Sequence, residues 1–302
     1  MNNRARAFTI VELLTVIAVI SILVGLTVPA LNEAKWMAKQ MSVKADIKNY
    51  ELGLNTFYND MGFYPSSTPR LGPAPNNIVT VYDPAFPQNP AYFPQYGAQI
   101  LYESLVGFDR RGYQKDHFYA IDNAGKYYAV NAQNRRIDTT RSKLYVDLKE
   151  DKIGSMMDFI PDSTKIDDPV YNYNQMIIDG LDFERPMPIL YYRAHKNRDL
   201  LYDITPGTPL KYQYIDNVFF TSRNPAFDPA NPDNGANLTP EVYFSQYIHN
   251  PTSGGGNFAM PSAQPYNPET FLLISAGRDG IFGPNPLDKH KIDDISNFER
   301  VK

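Results

Sequence analysis

The stretch FTIVELLTVIAVISILVGLTVPAL, residues 8 to 31, decides the architecture of this chain. It is apolar apart from small hydroxyl residues, Gly25, Pro29 and a single carboxylate, Glu12. A helix over it would be about 36 Å long, against about 30 Å for the hydrocarbon core of a bilayer. The stretch therefore predicts a membrane-spanning helix. Arginines at positions 4 and 6 favour a cytoplasmic N-terminus by the positive-inside rule, with the rest of the chain exported.

A cleaved signal peptide is the competing interpretation, because it also begins with positive charge and an apolar run. The sequence Thr27-Val28-Pro29-Ala30 is a poor cleavage site for such a leader. Apolar residues also continue at intervals of three and four from Ala34 to Phe57. This spacing predicts that the anchor continues as an amphipathic helix to about Tyr58.

Glu12 needs an explanation because it is a carboxylate inside an apolar run. Placing an ionised carboxylate in the middle of a bilayer costs about 2.5 to 3.5 kcal/mol, so such a residue is a functional candidate. Alternatively, Glu12 lies near the cytoplasmic interface, where its side chain reaches water at little cost. The residue taken alone leaves both interpretations open.

The run RAFTIVELL, residues 6 to 14, resembles the N-terminal signature of type IV pilins and type II secretion pseudopilins. The resemblance implies that a prepilin peptidase cuts between Ala7 and Phe8 and that the new terminus at Phe8 is methylated. Glu12 would then be the fifth mature residue and Pro29 the twenty-second, where the family commonly has a proline. The residue before the cut is Ala7, where the family usually has Gly.

The family's assembly implies a role for these residues. The ammonium freed at Phe8 would pair with the Glu12 carboxylate of a neighbouring subunit inside an apolar filament. Losing one partner of such a buried pair costs about 3 to 5 kcal/mol, so the pair would check the register of subunits. Pro29 removes one helical amide and would let the helix bend or melt locally. The alternative interpretation is a kink that a membrane helix tolerates without functional consequence.

The expected fold class is α+β and pilin-like, with a long N-terminal helix packed on a C-terminal antiparallel β-sheet domain with long loops. The expected organisation is a prepilin leader at 1–7, a transmembrane and filament-core helix at 8–31, and its amphipathic continuation at 32–58. An enlarged periplasmic globular domain follows at 59–302.

Local patterns predict the elements of the globular domain. Gly62 and Pro65 are expected to end the long helix, and the prolines between Pro65 and Pro94 predict an irregular loop. A short helix is predicted over Gln99 to Val106, stopped by Gly107. Strands are predicted at Lys126 to Val130, Leu144 to Leu148, Ile189 to Ala194, Lys211 to Phe220 and Thr270 to Ala276.

The C-terminal run SAGRDGIFG, residues 275 to 283, and the later IDDISNF, residues 292 to 298, combine glycines with carboxylates. Hard oxygen ligands are what Ca²⁺ requires, and this part of the chain resembles the calcium-binding loop of the major type II secretion pseudopilin. The resemblance implies side-chain ligands from Asp279, Asp293 and Asp294, with the carbonyls of Ala276 and Ile281. A Gly-Asp turn beside a solvated acidic pair is the plain alternative.

Composition excludes several function classes. The net charge of −4 supplies no basic field for nucleic acid, and the absence of cysteine excludes disulfides, thiolate metal sites and thiol nucleophiles. The four histidines, His117, His195, His249 and His290, lack the spacing of a zinc hydrolase. Because no nucleophile elbow or phosphate-binding loop is present either, we expect no enzyme.

The expected function is that of a structural pseudopilin in the inner membrane, single-pass with a periplasmic domain, which polymerises into a periplasmic filament for type II protein secretion. Expected partners are the prepilin peptidase, copies of itself, other pseudopilins, the inner-membrane assembly platform and the membrane. One alternative is a type IV pilin or minor pilin for adhesion or DNA uptake. The other is a membrane-anchored periplasmic binding or hydrolytic protein.

Overall fold

The computed structural model describes residues 10–68, 79–82, 91–93, 96–107, 110–113, 118–121, 127–129, 143–155, 175–181, 186–201, 210–222, 224, 227, 239–283 and 292–298. The chain divides into two compact units, Met1–Ser42 and Val43–Lys302. The expected α+β class is confirmed, because a long N-terminal helix is followed by short helices and small sheets.

Helix α1 covers Ile10–Met61 without interruption. Its end is set by Gly62, whose φ of 79° lies in the left-handed region that glycine adopts without strain. The Gly62 N–H donates to the Tyr58 carbonyl at 2.7 Å and so closes the last turn. The prediction that the apolar segment continues into a second helical segment ending near Tyr58 is confirmed.

The part of α1 in the second unit has one buried face, spaced at three and four residues as a core-facing helix requires. Ring packing joins Phe57 to Tyr145, with centroids 5.2 Å apart. At Gly53 a Cβ atom would lie 2.6 Å from a methyl of Val146, so only glycine permits this approach. The buried residues of this face are Val43, Ile47, Tyr50, Gly53, Leu54 and Phe57.

Helix α2 covers Gly97–Leu105 and confirms the short helix predicted at Gln99 to Val106. Its N-terminus is capped by Gln99, whose Oε1 accepts the Tyr96 N–H at 2.6 Å. Gly107 ends it with a φ of 78° and donates its N–H to the Glu103 carbonyl at 2.9 Å. The predicted glycine stop is therefore confirmed as well.

In the described ranges, short strands form three sheets. Strands β1 to β4 form one sheet in the order β2-β1-β3-β4, β5 pairs with β6, and β7, β8 and β9 form the third sheet in that order. All described pairs are antiparallel except β1 with β3, which is parallel. The strands are β1 Val79–Tyr82, β2 Ala91–Phe93, β3 Phe118–Ile121, β4 Tyr127–Ala129, β5 Ile153–Ser155, β6 Gln175–Ile177, β7 Leu190–Arg193, β8 Phe271–Ser275 and β9 Ile295–Ser296.

The third sheet forms the centre of the core. Every residue of β8 is buried, as expected for a central strand covered on both faces. This sheet contacts the chain just after α1. The Tyr191 hydroxyl donates to the Pro65 carbonyl at 2.7 Å, and the rings of Tyr64 and Phe271 meet edge to face at 5.0 Å. Strands predicted at Lys126 to Val130, Ile189 to Ala194 and Thr270 to Ala276 are confirmed as β4, β7 and β8.

The prediction of a strand at Lys211 to Phe220 is wrong. That segment contains a 3-10 turn at Tyr214–Asp216 and a single helical turn, α3, at Phe219–Ser222. The reason is the buried Asn217, whose Oδ1 accepts the Ala98 N–H at 2.8 Å while its Nδ2 donates to the Tyr191 carbonyl at 2.8 Å. The side chain supplies the hydrogen bonds that a strand would make through its backbone.

Two further local predictions are wrong. Residues Leu144 to Leu148 form no strand, since the Tyr145 and Val146 amides both donate to the Leu105 carbonyl at the end of α2. The proline-rich span from Pro65 to Pro94 was expected to contain no strand, yet it contains β1 and β2. Strand β1 forms because it pairs with β3, which is distant in the sequence, and local composition does not reveal such a partner. Helix α4, Pro240–Ile248, was not predicted at all.

A buried carboxylate tethers the region after α1 to the core. Ser67 donates its hydroxyl to Asp216 Oδ2 and accepts the Arg193 N–H at 2.9 Å, and both Ser67 and Asp216 are fully buried. Burial raises the pKa of the Asp216 carboxyl from 3.8 to about 7. The folded protein therefore holds a proton here that the unfolded chain releases near pH 4.

This shift predicts a pH-dependent stability. Because the folded state binds more protons at Asp216, the contribution of this carboxyl to the free energy of unfolding falls as pH rises from about 4 to about 7, by at most about 1.4 kcal/mol per pH unit. Asp216→Asn should flatten this dependence, measured by denaturant unfolding of the full chain in detergent with near-ultraviolet circular dichroism. The control Asp147→Asn, at an exposed carboxyl, should keep the wild-type slope. An unchanged slope in Asp216→Asn would show that the carboxyl ionises normally in the fold.

Candidate functional site

The first unit exposes a continuous apolar helical surface. Every Ile, Leu and Val from Ile10 to Leu31 is between 48% and 76% exposed. An apolar surface of this extent is unstable in water and marks a segment that contacts lipid or another protein. In the described part of the chain, α1 is the one helix long and apolar enough to cross a membrane.

The few hydroxyl groups of this segment bond to the helix itself. Thr15 Oγ1 donates to the Glu12 carbonyl at 2.9 Å, Ser21 Oγ to the Ile17 carbonyl at 2.7 Å, and Thr27 Oγ1 to the Val24 carbonyl at 3.3 Å. Such back-bonding satisfies polar groups that hydrocarbon cannot. The whole segment is therefore compatible with an apolar surrounding.

Glu12 lies in the first described turn of α1 and faces outward. A carboxylate at that end is favoured by the helix dipole, which is positive at the N-terminus. Pro29 lies inside the continuous helix, where it provides no N–H for the carbonyl of Gly25. The predicted processing residues Ala7 and Phe8 lie outside the described residues. The roles predicted for all four residues therefore stay predictions.

The second candidate site, here called the acidic turn, consists of Ala276–Gly283 and residues 292–294. The structure brings its two halves together. Asp293 Oδ2 accepts the Arg278 N–H at 2.7 Å, and Asp294 Oδ2 accepts the Gly283 N–H at 2.7 Å. Asp279 Oδ1 accepts the Ile281 N–H at 2.9 Å within its own turn. All three predicted carboxylates thus bind backbone amides.

The close approach of the two halves depends on Gly277. Its φ is 69°, and a Cβ atom there would lie 2.6 Å from both the carbonyl oxygen and Oδ1 of Asp293. The described residues contain no group of three or more His, Cys, Asp or Glu side chains placed to hold a metal ion. Calcium binding by Asp279, Asp293, Asp294, Ala276 and Ile281 therefore remains a prediction. Between the two halves the sequence has a basic run, Lys289-His290-Lys291, which lies outside the described part of the chain.

One polar group beside the acidic turn was missed from the sequence. Ser275, the last residue of β8, donates its hydroxyl to Asp179 Oδ2 at 2.8 Å, and both side chains are buried. Burial raises the pKa of the Asp179 carboxyl to about 6. Ser275 opens the run SAGRDGIFG, but Asp179 is 96 residues away and sits in no motif, so no sequence signal connects the two residues.

The N-terminal segment is similar to a known motif. Residues 2–28 match the family model of the prokaryotic N-terminal methylation motif. This segment contains Ala7, Phe8 and Glu12, so the prediction from RAFTIVELL rests on the same residues.

A particular relative is the type II secretion system core protein G of Dickeya chrysanthemi. It is 32% identical over 97 residues, which are 32% of this chain and 60% of that protein. The chain thus spans less than two thirds of the relative's length. No solved structure matches the chain significantly. Together the motif and this relative confirm the resemblance to type IV pilin-like pseudopilins that the N-terminal residues predicted.

The geometry of the acidic turn predicts the effect of Gly277→Ala. A side chain at left-handed φ costs about 1 to 2 kcal/mol, and here the clash with Asp293 adds to that cost. The control is Gly255→Ala. Gly255 has a φ of 62°, and a Cβ atom there would meet nothing within 4 Å, so this substitution has the conformational cost without a clash. We expect Gly277→Ala to lower the unfolding free energy clearly more than Gly255→Ala in denaturant titrations. Equal losses would mean that the two halves do not touch at this glycine.

Proposed function

We propose that this chain is a structural pseudopilin subunit that polymerises into a periplasmic filament serving type II protein secretion. The supporting observation is the exposed apolar segment of α1 with Glu12 inside the methylation motif. A helix that satisfies its own backbone hydrogen bonds can sit in lipid and later in a protein interior. The role is assembly rather than catalysis.

The proposed processing creates the assembly contact. A prepilin peptidase cuts between Ala7 and Phe8, and the terminal amine of Phe8 is methylated. The Glu12 carboxylate of one subunit pairs with the ammonium at Phe8 of its neighbour. In a nearly dry filament core both charges need partners, because a buried charge left alone costs several kcal/mol. A subunit in the wrong register is therefore rejected.

The proposed orientation follows from the charges beside the apolar segment. The arginines at positions 4 and 6 stay in the cytoplasm, and the globular unit is periplasmic. The subunit waits in the inner membrane as a single-pass protein until the assembly platform adds it to copies of itself and to other pseudopilins. Pro29 weakens the helix at one carbonyl and so eases local bending during this transfer.

A second proposal concerns the acidic turn, which we propose binds Ca²⁺. Its candidate ligands, the carboxylates of Asp279, Asp293 and Asp294 and the carbonyls of Ala276 and Ile281, are all oxygen atoms, as this hard cation prefers. The support is that the two acidic segments meet in the structure, with Asp293 held against the turn. A bound cation would screen the like charges of the three carboxylates and join the end of β8 to the segment before β9.

The assembly proposal is tested by Glu12→Ala with Glu33→Ala as the matched control. Both variants should insert into the membrane and carry an N-methylated Phe8, measured by peptide mass mapping. Glu12→Ala should lower filament yield in cells with the secretion machinery by more than about a hundredfold, since a broken buried pair costs about 3 to 5 kcal/mol. Because Glu33 lies beyond the apolar stretch, the Glu33→Ala variant should assemble into filaments like the wild type.

Two results would contradict this proposal. Wild-type filament yield in Glu12→Ala would refute the charge pair. An intact Met1, or a mature terminus after Ala30, would indicate a membrane-anchored periplasmic binding protein instead.

The calcium proposal is tested by thermal unfolding of the full chain in detergent, with EGTA and then with added CaCl₂. A cation at a hundredfold excess over its dissociation constant stabilises by about 2.7 kcal/mol, which is a shift of several degrees in Tm. Asp293→Asn keeps an oxygen for the Arg278 amide but loses the charge, so it should abolish the shift. Asp199→Asn, at an exposed carboxyl, should retain it. Equal Tm values with and without calcium in the wild-type protein would refute the proposal that the acidic turn binds Ca²⁺.

A further inference from the structure

Four residues form a polar connection between the end of β8 and α1, in which Asp179 takes part with its carboxylate on one side and its backbone carbonyl on the other. They are Ser275, Asp179, Lys152 and Asp46, from four separate parts of the second unit. We propose that this connection, here called the polar relay, couples the acidic turn to the part of α1 that packs in the globular unit. A disturbance at either end then loosens the other end, although the two ends do not touch through their own side chains.

The relay begins where the acidic turn begins. Ser275 precedes Ala276, and its hydroxyl donates to Asp179 Oδ2 at 2.8 Å. Asp179 is only 3% exposed, and its Oδ1 accepts the Leu181 N–H at 3.1 Å. Its own N–H donates to the Met187 carbonyl at 3.0 Å. With both carboxylate oxygens and the backbone bonded, Asp179 has little freedom to adjust if Ser275 moves.

Lys152 carries the connection onward. Its Nζ donates to the Asp179 carbonyl at 3.4 Å and lies 2.8 Å from Asp46 Oδ2 on α1. Gly180 leaves room for the ammonium, because a Cβ atom there would lie 3.2 Å from Nζ. The Lys152 backbone is itself held, since its carbonyl accepts the Ile178 N–H at 3.0 Å beside the β5–β6 pair.

The ion pair at the helix is sheltered. The side chains of Lys152 and Asp46 are 19% and 32% exposed, whereas the surface pair Lys48 with Glu51 has its lysine 79% exposed. Asp46 lies next to Ile47 in the buried face of α1, so movement of Asp46 moves residues of the core. Interactions in a shielded environment are stronger and more cooperative than those at a surface, where the median ion pair contributes about 0 to 1 kcal/mol.

The relay gives the globular unit a second attachment to α1 besides the apolar face. Its consequence for filaments rests on the proposed function: the state of the acidic turn would change how firmly α1 is held in the subunit. The relay itself needs neither calcium nor assembly. It can therefore be tested on the metal-free subunit.

The test is amide hydrogen exchange of the full chain in detergent, in EGTA. Asp46→Asn should increase exchange at the Arg278 and Ile281 amides of the acidic turn by about threefold to tenfold, the range expected for coupling through a packed network. Glu51→Gln is the matched control, because it removes another α1 carboxylate of similar exposure whose partner, Lys48, is an exposed lysine on the same helix. This control should leave those amides unchanged.

The reciprocal experiment starts from the other end. Ser275→Ala should raise exchange at α1 amides 43–50, since coupling between two sites must act in both directions. Lys152→Met should raise exchange at both ends, whereas Lys149→Met, at an exposed lysine of the same segment, should raise neither. The Ser275→Ala, Lys152→Met double variant should exchange at α1 no faster than Lys152→Met alone, because Lys152 lies between the two ends.

The relay is refuted if Asp46→Asn leaves the turn amides at the wild-type exchange rate. It is also refuted if the increases in α1 exchange caused by Ser275→Ala and by Lys152→Met multiply in the double variant. Asp46 is partly exposed on a helix, so its variant remains informative even if Ser275→Ala unfolds the core. Because no metal or filament is involved, this failure would leave the proposed function standing. Failure of assembly or of calcium binding would equally leave the relay standing.

Discussion

Backbone hydrogen bonding within α1 is the constraint on which the rest of the structure depends. A single unbroken helix of 52 residues carries two different surfaces, an apolar one exposed on all sides and an amphipathic one with a buried face. Because a helix satisfies its N–H and C=O groups internally, its first part can exchange lipid for protein without exposing polar backbone. The second part contributes the residues on which the globular unit packs.

The globular unit is joined to α1 by three kinds of contact. Apolar packing joins the buried face of α1 to the unit, for example Phe57 to Tyr145, and Gly53 allows the backbone to approach Val146 closely. Tyr191 and Asp216 then fix the chain that leaves the helix, through Pro65 and Ser67. Lys152 adds an ionic contact on the same helix. Packing supplies the bulk of the free energy, and the directional polar contacts select one arrangement.

The acidic turn illustrates how a motif can be visible while its geometry is not. Its glycines and aspartates are evident in the sequence, and the structure brings the two segments together as the motif implies. That each carboxylate accepts a backbone amide was not evident, because an aspartate in a turn can serve either an amide or a cation. Gly277 became interpretable only when Asp293 was found against it.

The sequence by itself determined the parts that depend on neighbouring residues: the apolar run, the methylation motif around Phe8 and Glu12, the amphipathic spacing of α1, and the glycines that end α1 and α2. It also placed the strongly apolar strands β7 and β8. Only the tertiary structure decided the parallel pairing of β1 with β3, the loss of the expected strand at Lys211 to Phe220, and the bonds of Asp216 to Ser67 and Asp179 to Ser275, whose partners are 149 and 96 residues apart. Helix periodicity and turn residues act over a few positions, whereas a buried side chain chooses its partner only after the whole core has formed.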